Sequence, residues 1–270
     1  MTADVARAFD RLAARYDEEL SPQANPLVPM IRQRFYAAVA RHFPPGATLL
    51  ELGCGTGTDA LALAARGHRV VATDLAPAMI ERARAKTAAA PAALAAAVDF
   101  HALGVVSLAE RWPELGRRVE GVYSNLAPLN CELSLTPLRA LLEQALPARG
   151  RFLAVVLPRV CPLEIALFLA TGKPRAALRR FARAPEADVS GQRFPMRYLG
   201  PDDFDRALGP GFRRVETRAL GLLLPPLRFG PAFARVPHLL DALAHVEDHV
   251  AAWPGLARMG DHIQLAYERL

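Results

Sequence analysis

Glu51, Gly53, Gly55, Gly57 and Asp74 are the residues whose types and spacing point most directly to chemistry. Leu49-Leu50-Glu51-Leu52 reads as a buried strand closing on an acid, and the loop after it carries glycine at every second position through Gly57. A residue without Cβ lets backbone approach a ligand closely and permits φ > 0. The acid narrows the ligand. A dinucleotide rests its pyrophosphate on the helix that follows such a loop, and Glu51 would repel it. The spacing also departs from G-x-G-x-x-G, because position 58 is Thr. A carboxylate here suits ribose hydroxyls or a cationic amine. Arg69 to Thr73 is a second short run rich in β-branched residues, and it ends at Asp74, 23 residues beyond Glu51. An acid at the end of the second strand of a βαβ unit accepts hydrogen bonds from ribose hydroxyls.

The elements that must hold these residues follow from periodicity and punctuation. Val5, Phe9, Leu12 and Tyr16 fall at helical spacing over residues 4–20, and a second helix is expected over 27–42 after a Pro-rich break. Strands are expected at 47–52, 69–73, 98–101, 119–124 and 151–157. The helices between them are expected at 58–66, with Thr58 and Asp59 able to cap it, at 77–90 and at 136–146. This alternation predicts a parallel sheet in an α/β fold. Past Pro158 the regularity breaks. Residues 161–200 read as an insertion that opens with an apolar helix at 163–170. Helix 201–208, strand 212–219, helix 237–251 and a last strand at 262–270 then resume the core pattern.

Other chemistry-bearing residues are weaker signals. His101, just at the end of the third strand, can be a general base or a solvent-facing loop histidine. His245 and His249 stand four apart on one helix face, a spacing that can bind zinc, but no third ligand is evident and no metal site is expected. Cys54, Cys131 and Cys161 have no metal-like spacing and form no even set, so they read as reduced thiols. The densest basic cluster, Lys173, Arg175, Arg179, Arg180 and Arg183, lacks the interleaved aromatics of single-strand binding and reads as a solvated face, not a nucleic-acid site. The net charge of +6 comes almost wholly from arginine; Lys86 and Lys173 are the lysines. No run approaches the ~20 apolar residues of a membrane helix, and the N-terminus has no apolar core of signal-peptide length. The expectation is a soluble, cytoplasmic protein.

The stretches LLELGCGTG (49–57), VVATDLAPAMI (70–80) and GVYSNLAPLN (121–130), with the opening AFDRLAARYDEE (8–19), resemble the class I S-adenosylmethionine-dependent methyltransferases, in particular the small-molecule branch. The resemblance covers roughly residues 1–160 and loosens beyond. It implies a doubly wound, Rossmann-like, seven-stranded and mostly parallel sheet with an antiparallel last strand and a helical insertion after strand five. The implied organisation is an N-terminal helical cap (1–45), a cofactor-binding core (46–160), a substrate-side insertion or lid (161–200) and the C-terminal part of the sheet (201–270). The implied cofactor is S-adenosyl-L-methionine, leaving as S-adenosyl-L-homocysteine.

Carried over position by position, Gly53, Gly55 and Gly57 would pass under the amino-acid portion and ribose. Glu51 would act near the amine, and Asp74 would take the ribose hydroxyls. Leu75 and Met79 would flank the adenine, which Leu103 and Gly104 would meet through backbone groups. Asn125 would face the reacting centre, and Tyr16 would close over the cofactor; Met79, Tyr16 and Asn125 are also readable as ordinary packing or turn residues. Asn125-Leu126-Ala127-Pro128 lacks the proline pair and aromatic of the base-amine methyltransferases. The expected partner is therefore a small-molecule methyl acceptor, methylated at O, N or C, and not a nucleic acid. Arg193, Arg197 and Tyr198 would reach an acidic acceptor, and the apolar stretch from Leu163 to Ala170 would line a lipophilic pocket or pack as a lid. An NAD-dependent oxidoreductase and a catalytically silent module on the same fold are the rival readings.

Overall fold

A computed structural model describes residues 3–270. Seven strands form one sheet: β1 (Thr48–Leu52), β2 (Arg69–Asp74), β3 (Val98–Ala102), β4 (Gly121–Ser124), β5 (Arg151–Val156), β8 (Phe212–Leu220) and β9 (His262–Arg269). A separate hairpin comprises β6 (Glu186–Val189) and β7 (Gln192–Pro195). The spatial order is β3-β2-β1-β4-β5-β9-β8. Pairing is parallel except at β9, which runs antiparallel to both β5 and β8. This is the expected doubly wound, Rossmann-like sheet, with the antiparallel last strand inserted between β5 and β8.

Helices cover both faces of the sheet, so its central strands are apolar without alternation. The two-residue period still decides what each side chain meets. Leu50 and Leu52 of β1 join one core with Leu108, Trp112, Leu138 and Leu142. Leu49 joins the opposite core with Ile31, Phe35 and Val39 of helix Leu27–His42. Glu51 therefore faces the side covered by that helix. In register it stands beside Ala72 on β2 and Tyr123 on β4.

Three differences from the expected elements have local causes. The first helix runs Ala3–Leu12, and a short helix Tyr16–Glu19 restarts after a turn at 13–15. Helix Val105–Leu115 occupies a stretch assigned no element; Val105, Leu108, Ala109 and Trp112 bury one face at helical spacing despite Pro113 near its end. The β6–β7 hairpin lies inside the insertion, and Ser190 and Gly191 at its tip both have positive φ (52° and 75°). Positive φ at both central positions is the geometry that lets a two-residue turn follow the strand twist. No described helix is long and apolar enough to cross a membrane.

Candidate cofactor crevice and the polar cluster beneath it

β1 and β2 end together, and the glycine turn is folded back onto β2. The Gly53 and Cys54 amides both donate to the Thr73 carbonyl (2.8 and 2.9 Å), and the Thr73 hydroxyl donates to the Glu51 carbonyl at 2.9 Å. Gly53 (φ 75°) and Gly55 (φ 54°) are left-handed, where a Cβ is strained. A Cβ on Gly53 would fall 2.3 Å from Pro128, and one on Gly55 would fall 3.2 Å from the Tyr16 ring. The turn is thus approached from two sides, by the loop after β4 and by the N-terminal segment.

Between those approaches lies a crevice with about 550 Å³ of free space, its open mouth included. Gly53, Gly55, Asp74, Leu75 and Asn125 line its floor; Pro128 and Cys131 form one wall; Val5, Phe9 and Tyr16 cover it. The cover is fastened to the core. Asp17 accepts from Lys86 at 2.8 Å and from Thr56 at 2.5 Å, and the Ala78 amide donates to Asp10 at 2.9 Å. The location, outside the carboxyl ends of the strands where the order reverses about β1, is the usual ligand crevice of open α/β sheets.

Asp74 is the polar feature of this floor. Its Oδ2 accepts the Gly55 amide at 2.8 Å and its Oδ1 accepts the Ala76 amide at 2.9 Å. Each carboxylate oxygen can accept more than one hydrogen bond, so both keep an acceptor position for a ligand hydroxyl. Burial raises the Asp74 pKa, and the amides of Ala76 and Gly55 only partly offset that.

Asn125 connects the crevice to a buried cluster below. Its side-chain amide donates to Asp59 at 2.9 Å. Asp59 also receives the Tyr36 hydroxyl at 2.5 Å, and the Arg32 guanidinium stands 3.2 Å away. Glu51 is buried in the same region and its Oε2 has no hydrogen-bond partner among the described residues. Burial, and then the Asp59 charge, push its pKa well above the usual carboxylate range. The Tyr123 hydroxyl is raised for the same reasons, burial first and then the Glu51 charge.

The structure brings together Tyr16, Gly53, Gly55, Asp74, Leu75 and Asn125 around the crevice. It places the other expected residues elsewhere. Glu51 lies in the cluster beneath the turn and does not line the crevice. Gly57 (φ 75°) heads helix Thr58–Ala64, and a Cβ there would strike Phe100 at 2.7 Å; its role is packing. Met79 is fully buried with Ala13 and Ala76 and holds the N-terminal helices down. Gly104 sits behind Leu75, whose Cδ1 would lie 2.9 Å from a Cβ there, and Leu103 packs against the core. His101 stands on the edge strand β3, 3.1 Å from Asp99, and is not among the residues lining the crevice, so its expected role as a base there is not carried forward. Arg197 and Tyr198 line a separate depression, and Arg193 pairs with Asp188 at 3.6 Å.

Asp59 is the main residue that sequence reasoning misplaced. A helix-start acid suggests a cap, but the helix has no side-chain cap and Asp59 is turned inward to Arg32, Tyr36 and Asn125. The signal was Arg32 and Tyr36 themselves, four apart and so on one face of that helix. His245 and His249 stack at 4.8 Å, and no group of three or more His, Cys, Asp or Glu among the described residues could hold a metal.

Comparison with known proteins agrees with this geometry. A family model described as a methyltransferase domain matches residues 49–147. A malonyl-[acyl-carrier protein] O-methyltransferase of Serratia marcescens is 40% identical over 85 residues, which is 32% of this chain and 31% of that protein. The match thus spans about a third of that curated relative. The CcbJ methyltransferase of Streptomyces caelestis superposes with a TM-score of 0.61 at 19% identity, covering 97% of both chains. The [4+2]-cyclase SpnF gives 0.62 at 15% identity, covering 100% of this chain and 97% of its own. The glycopeptide N-methyltransferase MtfA complexed with S-adenosyl-L-methionine gives 0.52 at 16%, covering 89% and 93%. Likeness at these identities establishes the fold, whereas the domain match bears on the core itself.

Proposed function

From the premise that residues 49–147 form a methyltransferase domain within a class I methyltransferase fold, we propose that this protein transfers a methyl group from S-adenosyl-L-methionine to O, N or C of a small organic acceptor. The observation that carries the reading is Asp74, fixed by two amides beside a glycine turn with acceptor positions left over. The residues fit the cofactor in three respects. Asp74 would receive the ribose hydroxyls. The turn at Gly53 and Gly55 has no Cβ to obstruct close approach. The buried Glu51 carboxyl, which burial holds protonated to unusually high pH, would ionise in response to the ammonium and sulfonium charges. A pyrophosphate would instead keep that carboxyl protonated and gain no charge contact from it, which disfavours the dinucleotide alternative.

Bound there, the cofactor supplies a methyl group already attached to a good leaving group. The protein's task is then positioning, which can lower a barrier by up to ~7–11 kcal/mol in favourable intramolecular cases. Leu75 and the N-terminal cover would fix the nucleoside end and exclude water, Asn125 would border the reacting centre, and Tyr16 would close over the turn. With His101 paired to Asp99 and not lining the crevice, no histidine base is assigned, and the acceptor would have to be a nucleophile in its own right or lose its proton to solvent. Calorimetric titration with S-adenosyl-L-homocysteine tests the reading: saturable binding that weakens sharply in Asp74→Ala supports it, and no binding by the native protein overturns it.

A further inference from the structure

A second concavity, about 480 Å³, opens beyond the turn that walls the crevice, and its lining contains four arginines and no carboxylate: Arg159, Arg180, Arg183 and Arg197, with Tyr198. Three chain segments converge to build it: the exit from β5, the end of the basic stretch and the segment after β7. Arg180 is neutralised within the protein. It is buried, it bonds Glu164 at 3.0 Å and Asp261 at 2.8 Å, and its guanidinium lies 5.4 Å from the centre of the Tyr198 ring. Arg197 donates to the Leu133 carbonyl at 3.2 Å and stands 3.8 Å from Asp203, a carboxylate that Arg206 holds at 3.0 Å. Arg159 and Arg183 are exposed and have no ion-pair partner among the described residues. Two guanidinium charges therefore border one hollow with no carboxylate in its lining, so an anion entering it would meet positive charge from more than one chain segment. The forked guanidinium matches phosphate oxygens in paired hydrogen bonds.

The hollow is coupled to the crevice wall. The Arg197 amide donates to the Asn130 carbonyl at 2.7 Å, and the Asn130 side chain donates back to the Arg197 carbonyl at 2.6 Å. Asn130 belongs to the turn Pro128–Cys131, whose Pro128 and Cys131 line the crevice. Arg159 follows directly on the carboxyl end of β5, the sheet end at which open α/β proteins bind ligands.

We propose that this hollow binds a phosphomonoester carried by the methyl acceptor, with Arg159, Arg183 and Arg197 as its anchors. The word acceptor rests on the methyltransferase reading; the anion site does not. The test titrates the full chain by calorimetry with phenyl phosphate and with inorganic phosphate, and separately with S-adenosyl-L-homocysteine. Both titrations are repeated in the double variant Arg159→Gln/Arg183→Gln, whose exposed positions leave folding intact, as thermal melting verifies. Phenyl phosphate is expected to saturate and to bind about tenfold tighter than inorganic phosphate. The double variant is expected to lose at least about tenfold in phenyl phosphate affinity, as loss of a charge-assisted bond gives, with the S-adenosyl-L-homocysteine affinity unchanged. Equal binding of phenyl phosphate by native protein and variant, or saturation by neither, overturns the site. Equal affinity for the two phosphates overturns its assignment to an acceptor substituent. Failure of S-adenosyl-L-homocysteine to bind while phosphates do so rejects the methyltransferase reading and leaves the anion site standing.

Discussion

Asp74 and Gly55 hold each other in place: the carboxylate that faces the crevice also accepts the Gly55 amide at 2.8 Å, so the group proposed to receive the ribose also fixes the turn beneath it. A substitution there acts twice. Asp74→Ala should raise the dissociation constant for S-adenosyl-L-homocysteine by one to three orders of magnitude, at ~1.4 kcal/mol per tenfold. The accompanying fall in stability should be about 1–3 kcal/mol, because the Gly55 and Ala76 amides both lose their acceptor. Calorimetry and thermal melting on the same preparation separate the two, and unchanged affinity would remove the ribose assignment.

Gly53 and Gly57 share φ 75° but have different neighbours. A methyl on Gly53 would press on Pro128 in the crevice wall, whereas one on Gly57 would press on Phe100 and Ala83 in the core. Gly57→Ala should therefore cost about 1–3 kcal/mol of stability, as overpacking does, with cofactor affinity little altered below the melting temperature. Gly53→Ala should weaken cofactor binding out of proportion to its effect on melting. Paired melting curves and titrations for the two variants give the comparison; the reverse ranking would place Gly57 at the ligand.

The contrast between these glycines also shows where sequence reading succeeds. The acid at the end of β1, the glycine turn and Asp74 are local signals, each readable from a few neighbouring residues; the parallel sheet followed from the alternation of elements, and its doubly wound form from the resemblance. Which way a turn residue faces is not local. Gly57 and Met79 were carried over to the ligand by the resemblance, with packing open as an alternative for Met79; in the structure Met79 packs against the N-terminal segment and Gly57 against the ring of Phe100. His101 does not line the crevice: β3 is the sheet edge, with its histidine drawn to Asp99 on the same strand. Asp59 needs Arg32, 27 residues upstream, before its burial makes sense. By contrast the β6–β7 hairpin had a readable Ser190-Gly191 turn signal.

Glu216 ties the end of helix Leu27–His42 to β8, accepting from Arg41 at 3.0 Å, His42 at 2.9 Å and Gln264 at 2.7 Å. Burial pushes its carboxyl up, but the hydrogen bonds from His42 and Arg41 more than reverse this and hold it at about 2, against an ordinary 4.5. A depressed acid contributes stability above its unfolded pKa and loses it as pH falls toward the folded value. Glu216→Gln should therefore lower stability at neutral pH by about 1–2 kcal/mol, the group being partly solvated. The gap from the native protein should close between pH 4.5 and about 2. Denaturant titrations across that window measure it, and a gap that persists at the acid end would mean the loss is one of packing.

The opposite sign governs the crevice. Burial raises both Glu51 and Asp74 above the ordinary carboxylate range, with the Asp59 charge adding to the effect at Glu51. Without ligand, these carboxyls hold protons to higher pH than free acids do, and the stability linked to Glu51 is lost as pH rises through its raised pKa. A sulfonium and an ammonium placed near them favour the ionised forms. Binding of S-adenosyl-L-methionine should therefore release protons, and affinity should increase with pH until the carboxyls are ionised in the free protein. Titrations at one pH in two buffers of different ionisation heat reveal the release as a difference in observed enthalpy. Glu51→Gln should shrink that difference while Asp74 remains to bind the ribose. Identical heats in both buffers for the native protein would mean that the buried acid does not sense the ligand's charge, and the electrostatic basis for choosing a cationic nucleoside would fail.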